Sequence, residues 1–142
     1  MPLFANIPDS RRRTMSAIRS RGNRSTERRF RASLAARGVR GWRMHPESVQ
    51  GRPDFYFRES RLAVFVDGCF WHSCPKCCHQ PKSNLSYWQP KLKRNMERDL
   101  RVTVCLRRSG VSVLRFWECA LAFNLQGAVD QVERRLQHRL KR

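Results

Sequence analysis

The stretch Gly51–Gly68, GRPDFYFRESRLAVFVDG, carries the reading of the fold. Two short runs rich in aromatic and β-branched residues, Pro53–Phe57 and Arg61–Val66, flank the polar turn Arg58-Glu59-Ser60. That pattern predicts a β-hairpin. An aspartate stands at the outer end of each run, Asp54 beside Pro53 and Asp67 before Gly68. A hairpin brings its outer ends together, so both carboxylates can address one hard cation such as magnesium. Aspartates beside proline or glycine also serve as plain turn residues, and spacing alone does not separate the two roles.

Upstream, residues 1–22 read as a flexible basic arm ending in RSRGNRST, and residues 23–142 as one domain. Ser25 or Thr26 can cap a helix with Glu27 in its first turn and Phe30, Leu34 and Ala35 turned inward, stopped by Gly38. Trp42 and Met44 fit a short strand. His45 reads as a surface loop residue, because no partner pattern surrounds it. Downstream, Tyr87–Arg108 has apolar residues at helical spacing (Trp88, Leu92, Met96, Leu100, Thr103/Val104), with Lys91, Lys93, Arg94, Arg98 and Arg101 on the other faces. Cys105 falls on the apolar side and reads as a buried thiol. Gly110 ends that helix, Val111–Phe116 forms a buried strand, and Val129–Leu140 a last helix. The order predicts a mixed α+β domain, a small mixed sheet with helices against it.

Charge narrows the partner. Thirty Lys plus Arg against eleven Asp plus Glu leave a net +19 over 142 residues, with arginine dominant. Such a surface attracts a polyanion, and arginine suits bidentate phosphate contacts. The basic residues run along the whole chain rather than along one amphipathic segment, which favours nucleic acid over a membrane surface. No apolar run approaches the roughly 20 residues needed to span a bilayer. The amino terminus lacks the apolar core of a secretory signal, so a cytoplasmic location is expected.

In a reducing compartment the crowded thiols of Cys69–His79, CFWHSCPKCCH, read as zinc ligands rather than disulfides. The preferred set is Cys69, Cys74, Cys77 and the distant Cys119, with Cys78 or His79 as substitutes. Aromatics as bulky as Phe70 and Trp71 are not required by a zinc clip, and aromatics more often fill a core. His72 beside a cation at Asp54 would suffice for phosphodiester hydrolysis, as a base that activates water.

Several blocks then occur together and in order: Gly51–Phe55 (GRPDF), Val64–His72 (VFVDGCFWH), Tyr87-Trp88, Asn95–Asp99 (NMERD) and Val113–Leu121 (VLRFWECAL). Arg13–Arg19 (RTMSAIR), with Glu27 after it, completes a pattern that resembles the very short patch repair endonucleases, the Vsr-type mismatch nickases. The resemblance implies a restriction-endonuclease-like core and a structural zinc. It also implies magnesium-dependent nicking on the 5′ side of the thymine in T:G mismatches, which arise when 5-methylcytosine deaminates. By the same resemblance, Asp54 is the metal-binding aspartate and the Val66 carbonyl its companion ligand. His72 activates water, Glu27 supports the site by hydrogen bonding, and Phe70, Trp71 and Trp88 wedge into the duplex. Zinc would then hold the loop so that Phe70 and Trp71 project into DNA.

The chain also departs from the pattern. Some members carry Thr-His where Val66-Asp67 stands here, so an auxiliary histidine is missing and Asp67 is a candidate second carboxylate for the metal and the catalysis. Cys74 replaces a histidine zinc ligand, and Lys76 occupies the next ligand position, leaving Cys77 or Cys78 displaced. Expected partners are mismatched duplex DNA, a companion cytosine-5 methyltransferase and downstream repair proteins. A monomer suffices to cut one strand. Two other classes fit the composition: a restriction-like nuclease on paired DNA, and a non-catalytic zinc module.

Overall fold

The computed structural model describes residues 25–69, 74–76 and 83–141. Helix α1 covers residues 25–36 of these. There follow β1 (Trp42–Met44), β2 (Phe55–Phe57), β3 (Leu62–Asp67), α2 (Leu85–Arg108), β4 (Ser112–Trp117), α3 (Glu118–Phe123) and α4 (Leu125–Leu140). The four strands form one sheet in chain order, β1, β2 and β3 antiparallel and β4 parallel to β3. The predicted mixed sheet flanked by helices is therefore what forms. A parallel pair needs a long crossover, and α2 supplies it.

Strand β3 explains the layering. Its sequence LAVFVD is buried at every position, as expected of a strand covered on both faces. Leu62, Val64 and Val66 point to one face with Phe55, Phe57 and Phe116, where Phe30 and Leu34 of α1 and Val129 and Val132 of α4 cover them. Ala63 and Phe65 point to the other, with Val111 and Val113, beneath Leu106 and Val102 of α2. Phe30 anchors the first layer, edge-on to Phe55 at 5.4 Å and to Phe116 at 5.6 Å between ring centroids. Each fully buried side chain of this kind stabilises by about 1.5–3 kcal/mol.

Glycines stop two helices by one device. At Gly38 (φ +81°) the Gly38 N–H bonds to the Ala35 carbonyl and the Val39 N–H to that of Leu34, both at 3.0 Å. Gly110 (φ +87°) repeats this with Arg107 and Leu106. These paired bonds satisfy carbonyls that a helix end otherwise leaves open, and they need a left-handed residue.

Three expectations are corrected. Ser25 and Thr26 lie within α1 rather than capping it, and the Thr26 hydroxyl reaches Glu118 Oε1 at 3.5 Å. On α2, Met96 and Leu100 are 50% and 66% exposed. Beyond Leu92 the inward face passes through Asp99 and Thr103, because it meets a half-buried arginine, Arg115, that takes the Thr103 hydroxyl and the Asp99 carbonyl as partners. Cys105 is exposed rather than buried, and its neighbour Leu106 takes the inward position. The short helix α3 was not foreseen. The proposed arm lies outside the described residues, and none of the described helices is long and apolar enough to cross a membrane.

Candidate active site

The turn Gly51-Arg52-Pro53 delivers Asp54 to the head of β2. Gly51 (φ +80°) packs so closely on α2 that a Cβ there would stand 2.4 Å from Val102 Cγ1. Strand β2 begins at Phe55, opposite Val64, so β3 runs on past that end through Val66 and Asp67. The Val66 N–H is thereby released from sheet pairing and donates to Asp54 Oδ2 at 2.6 Å. A strand residue presents its N–H and C=O on the same edge, so the Val66 carbonyl opens beside the same carboxylate.

Asp54, Val66 and Asp67 line one cleft of about 450 Å³, with Gly51, Arg52, Arg98, Asp99 and Arg115 among its other walls. The hairpin does bring the two aspartates to one place, but their settings differ. Both oxygens of Asp67 accept from Arg115 Nη1, at 3.0 and 3.2 Å. Arg115 also stacks 4.0 Å above the Phe65 ring and donates to the Thr103 hydroxyl and the Asp99 carbonyl. Asp67 is thus engaged with a fixed cation of the protein. Asp54 is pushed up to about 7 from 3.8, chiefly by burial, opposed by the Val66 N–H and reinforced by the neighbouring Glu27. A bound cation would favour the charged form that burial disfavours.

The other oxygen of Asp54 faces residues from two more elements. His45 Nδ1 lies 3.7 Å from Asp54 Oδ1, and His45 Nε2 lies 3.0 Å from Glu27 Oε1 of α1. Glu27, His45 and Asp54 offer ligand atoms within 4.8 Å of one another. His45 is an exposed loop residue, as expected, but it does have partners. The β1–β2 register, Met44 opposite Phe55, places His45 across from Asp54 when continued by one residue. That register was the available signal. Arg115, which sits beside Phe65 in the β3–β4 pairing, was missed because a lone arginine in an apolar strand has no local signature.

A second cluster joins Cys69, Cys74 and Cys119, again within 4.8 Å of one another. Parallel pairing accounts for the long-range member. Each residue of β3 aligns with the one fifty positions later, through Asp67 with Trp117, and continuing the offset sets Cys69 against Cys119. The chain then turns so that the Cys74 N–H meets the Cys69 carbonyl at 2.9 Å. Cys74 Sγ and Cys119 Sγ are 3.6 Å apart, and the Cys119 N–H points at Cys69 Sγ from 3.4 Å. Two thiolates about 2.3 Å from a tetrahedral zinc stand about 3.8 Å apart, so the trio fits that ion. Cys77, Cys78 and His79 lie outside the described residues, as do His72, Phe70 and Trp71. Trp88 is 6% exposed, its ring edge-on to Tyr87 at 4.7 Å.

The profile of the DNA mismatch endonuclease Vsr matches residues 5–80, more than half of the chain. The chain belongs to the Vsr family. The DNA mismatch endonuclease Vsr of Escherichia coli K12 is 36% identical over 123 residues, 83% of this chain and 76% of its own length. The type II nicking enzyme V.XorIIP of Xanthomonas oryzae is 39% identical over 117 residues, 81% of this chain and 84% of its own length. The type II nicking enzyme V.NaeI of Lentzea aerocolonigenes is 47% identical over 92 residues, 65% of this chain; the chain spans about half, 54%, of that relative's length. As a Vsr-family chain, the protein is a DNA endonuclease of the mismatch or nicking kind. GRPDF and VFVDGC, which build the Asp54 cleft and lead into the cysteine cluster, lie inside the matched segment.

Proposed function

We propose that this Vsr-family chain nicks one strand of duplex DNA on the 5′ side of the thymine in a T:G mismatch left by deamination of 5-methylcytosine, with magnesium as its catalytic ion. The observation that carries the reading is Asp54: a carboxylate held on one oxygen by the Val66 N–H, in an arginine-walled cleft of a chain with net charge +19.

The Asp54 carboxylate and the Val66 carbonyl would hold magnesium, which supplies charge neutralisation at the scissile phosphate. His72 takes the proton of the attacking water, the role its position in GCFWH implies. Glu27 holds the site from α1 through His45. Asp67 offsets Arg115 rather than adding a second metal carboxylate. The exposed basic residues Lys93, Arg94, Arg98 and Arg101 of α2, with the amino-terminal arm, grip phosphates and make affinity salt-dependent. Cys69, Cys74 and Cys119 would hold zinc with Cys77 as the fourth ligand, stiffening the loop that carries Phe70 and Trp71. Those rings wedge into the mismatched step, where unstacking costs less than in paired DNA. Trp88 must leave its packing against Tyr87 to join them. A monomer is enough for one cut, and the recognised sequence follows a companion cytosine-5 methyltransferase.

The test is nicking of labelled duplexes carrying one T:G mismatch in varied contexts, with magnesium and without, beside fully paired controls. Asp54→Ala and His72→Ala run in parallel. A magnesium-dependent nick beside the thymine, lost in both variants, supports the reading. Equal cutting of paired DNA favours a restriction-like nuclease. Binding without cleavage in every context leaves a zinc-containing DNA-binding module.

A further inference from the structure

The Oδ1 side of Asp54 is not used by the Val66 contact, and its surroundings are built. We infer that a divalent transition-metal ion is held between Asp54 Oδ1 and His45 Nδ1, with Glu27 orienting the imidazole from outside; this rests on the reading of Asp54 as the catalytic carboxylate.

The imidazole places its two nitrogens differently. Nε2 lies at hydrogen-bond distance, 3.0 Å, from Glu27 Oε1. In the tautomer that donates from Nε2 to Glu27, Nδ1 presents a lone pair. That lone pair faces Asp54 Oδ1 across 3.7 Å, beyond hydrogen-bond range. Two ligand atoms this close, with a Glu27 oxygen within 4.8 Å of both, suit a shared cation. Donors 3.7 Å apart and each about 2.1 Å from one ion subtend about 120° there, a few tenths of an ångström from tetrahedral spacing. A carboxylate fixing the second nitrogen of a ligating histidine is the usual outer partner of such sites.

Backbone conformation adds a second observation. His45 adopts a left-handed φ of +47° directly before Pro46. Residues before proline favour extended backbone, and a non-glycine residue rarely takes positive φ. Strain of this sort persists where the surroundings enforce it and collects at functional sites. The imidazole is 43% exposed, so an ion reaches it from solvent. Nitrogen ligation favours transition metals over magnesium, which prefers oxygen.

The experiment titrates Mn²⁺ into the full-length, zinc-loaded protein without DNA and follows it by electron paramagnetic resonance. The variants are His45→Gln, which keeps a hydrogen-bonding group toward Glu27 but has no imidazole, and Asp54→Ala. The wild type should bind Mn²⁺ and show ¹⁴N modulation of the electron spin echo. His45→Gln should lose that modulation and bind Mn²⁺ at least about 10-fold more weakly, with the Mn²⁺-to-Mg²⁺ affinity ratio falling by a similar factor. Nitrogen modulation that is absent in the wild type, or survives His45→Gln, overturns His45 as a ligand while leaving Asp54 intact if binding still depends on it. Mn²⁺ binding unchanged by Asp54→Ala, or none at all, overturns both this inference and the metal role of Asp54.

Discussion

Replacing Asp54 with asparagine should make the protein more stable while abolishing its nicking. The carboxyl is pushed from 3.8 to about 7 by burial, in the company of Glu27. The folded state therefore keeps a proton that the unfolded chain releases, and stability from this group is complete below about pH 4 and lost as pH rises through 7. Three pH units at about 1.4 kcal/mol each make the full loss roughly 4 kcal/mol. Asparagine retains an oxygen for the Val66 N–H and carries no charge. Its advantage over wild type should widen by roughly 2–3 kcal/mol between pH 5 and pH 8. At about 2–4 °C per kcal/mol for a chain of this size, that is some 5–10 °C in Tm. Denaturant titrations at the two pH values, without added magnesium and at equal zinc content, measure it. Subtracting one protein from the other removes the titrating groups remote from Asp54 to first order. A pH-independent difference, or a mutant less stable than wild type at pH 8, would refute the reasoning. Magnesium supplies the converse: it should raise the Tm of wild type at pH 8 and leave Asp54→Asn unmoved, since only the charged carboxylate gains a partner.

Other outcomes follow from neighbouring contacts. Gly51→Ala should destabilise by about 2 kcal/mol or more, because its Cβ would meet Val102 at 2.4 Å and the residue has positive φ; denaturant midpoints at unchanged slope would show it. Arg115→Met should cost about 3–5 kcal/mol by removing the guanidinium that both Asp67 oxygens bond in the cleft, whereas Arg115→Met with Asp67→Asn should recover much of that loss, read by a double-mutant cycle. Cys119→Ser should lower zinc content measured by metal analysis and reduce Tm together, since metal affinity at such a cluster is also folding energy.

Much of the sheet was legible because its signals are local. The runs Pro53–Phe57 and Arg61–Val66 announced two strands, and Arg58-Glu59-Ser60 announced the turn between them. The cleft was half legible: a hairpin joins Asp54 and Asp67 by geometry alone. What escaped depended on partners far along the chain. The inward face of α2 departs from an apolar stripe because Arg115, on another strand, claims Thr103 and the Asp99 carbonyl. His45 looked isolated because its companions, Glu27 eighteen residues earlier and Asp54 across a strand pair, converge only through the β1–β2 register. Spacing alone admitted several candidates to join Cys69, Cys74 and Cys119, and only family pattern pointed to Phe70, Trp71 and Trp88 as wedge candidates.

The fixed stagger of β3 on β4 constrains how this protein can change length. One shared offset sets Asp67 beside Trp117 and Cys69 toward Cys119, so the cleft and the cysteine cluster grow from the same two strand ends. A single residue inserted within either strand would turn every following side chain to the opposite face, exchanging Val66 for Asp67 at the cleft edge and carrying a cysteine away from its companions. Residues added outside the two strands leave the stagger untouched. Length variants of this chain should therefore survive when the change falls in a connection, and fail at the cysteine cluster and the cleft together when it falls inside β3 or β4.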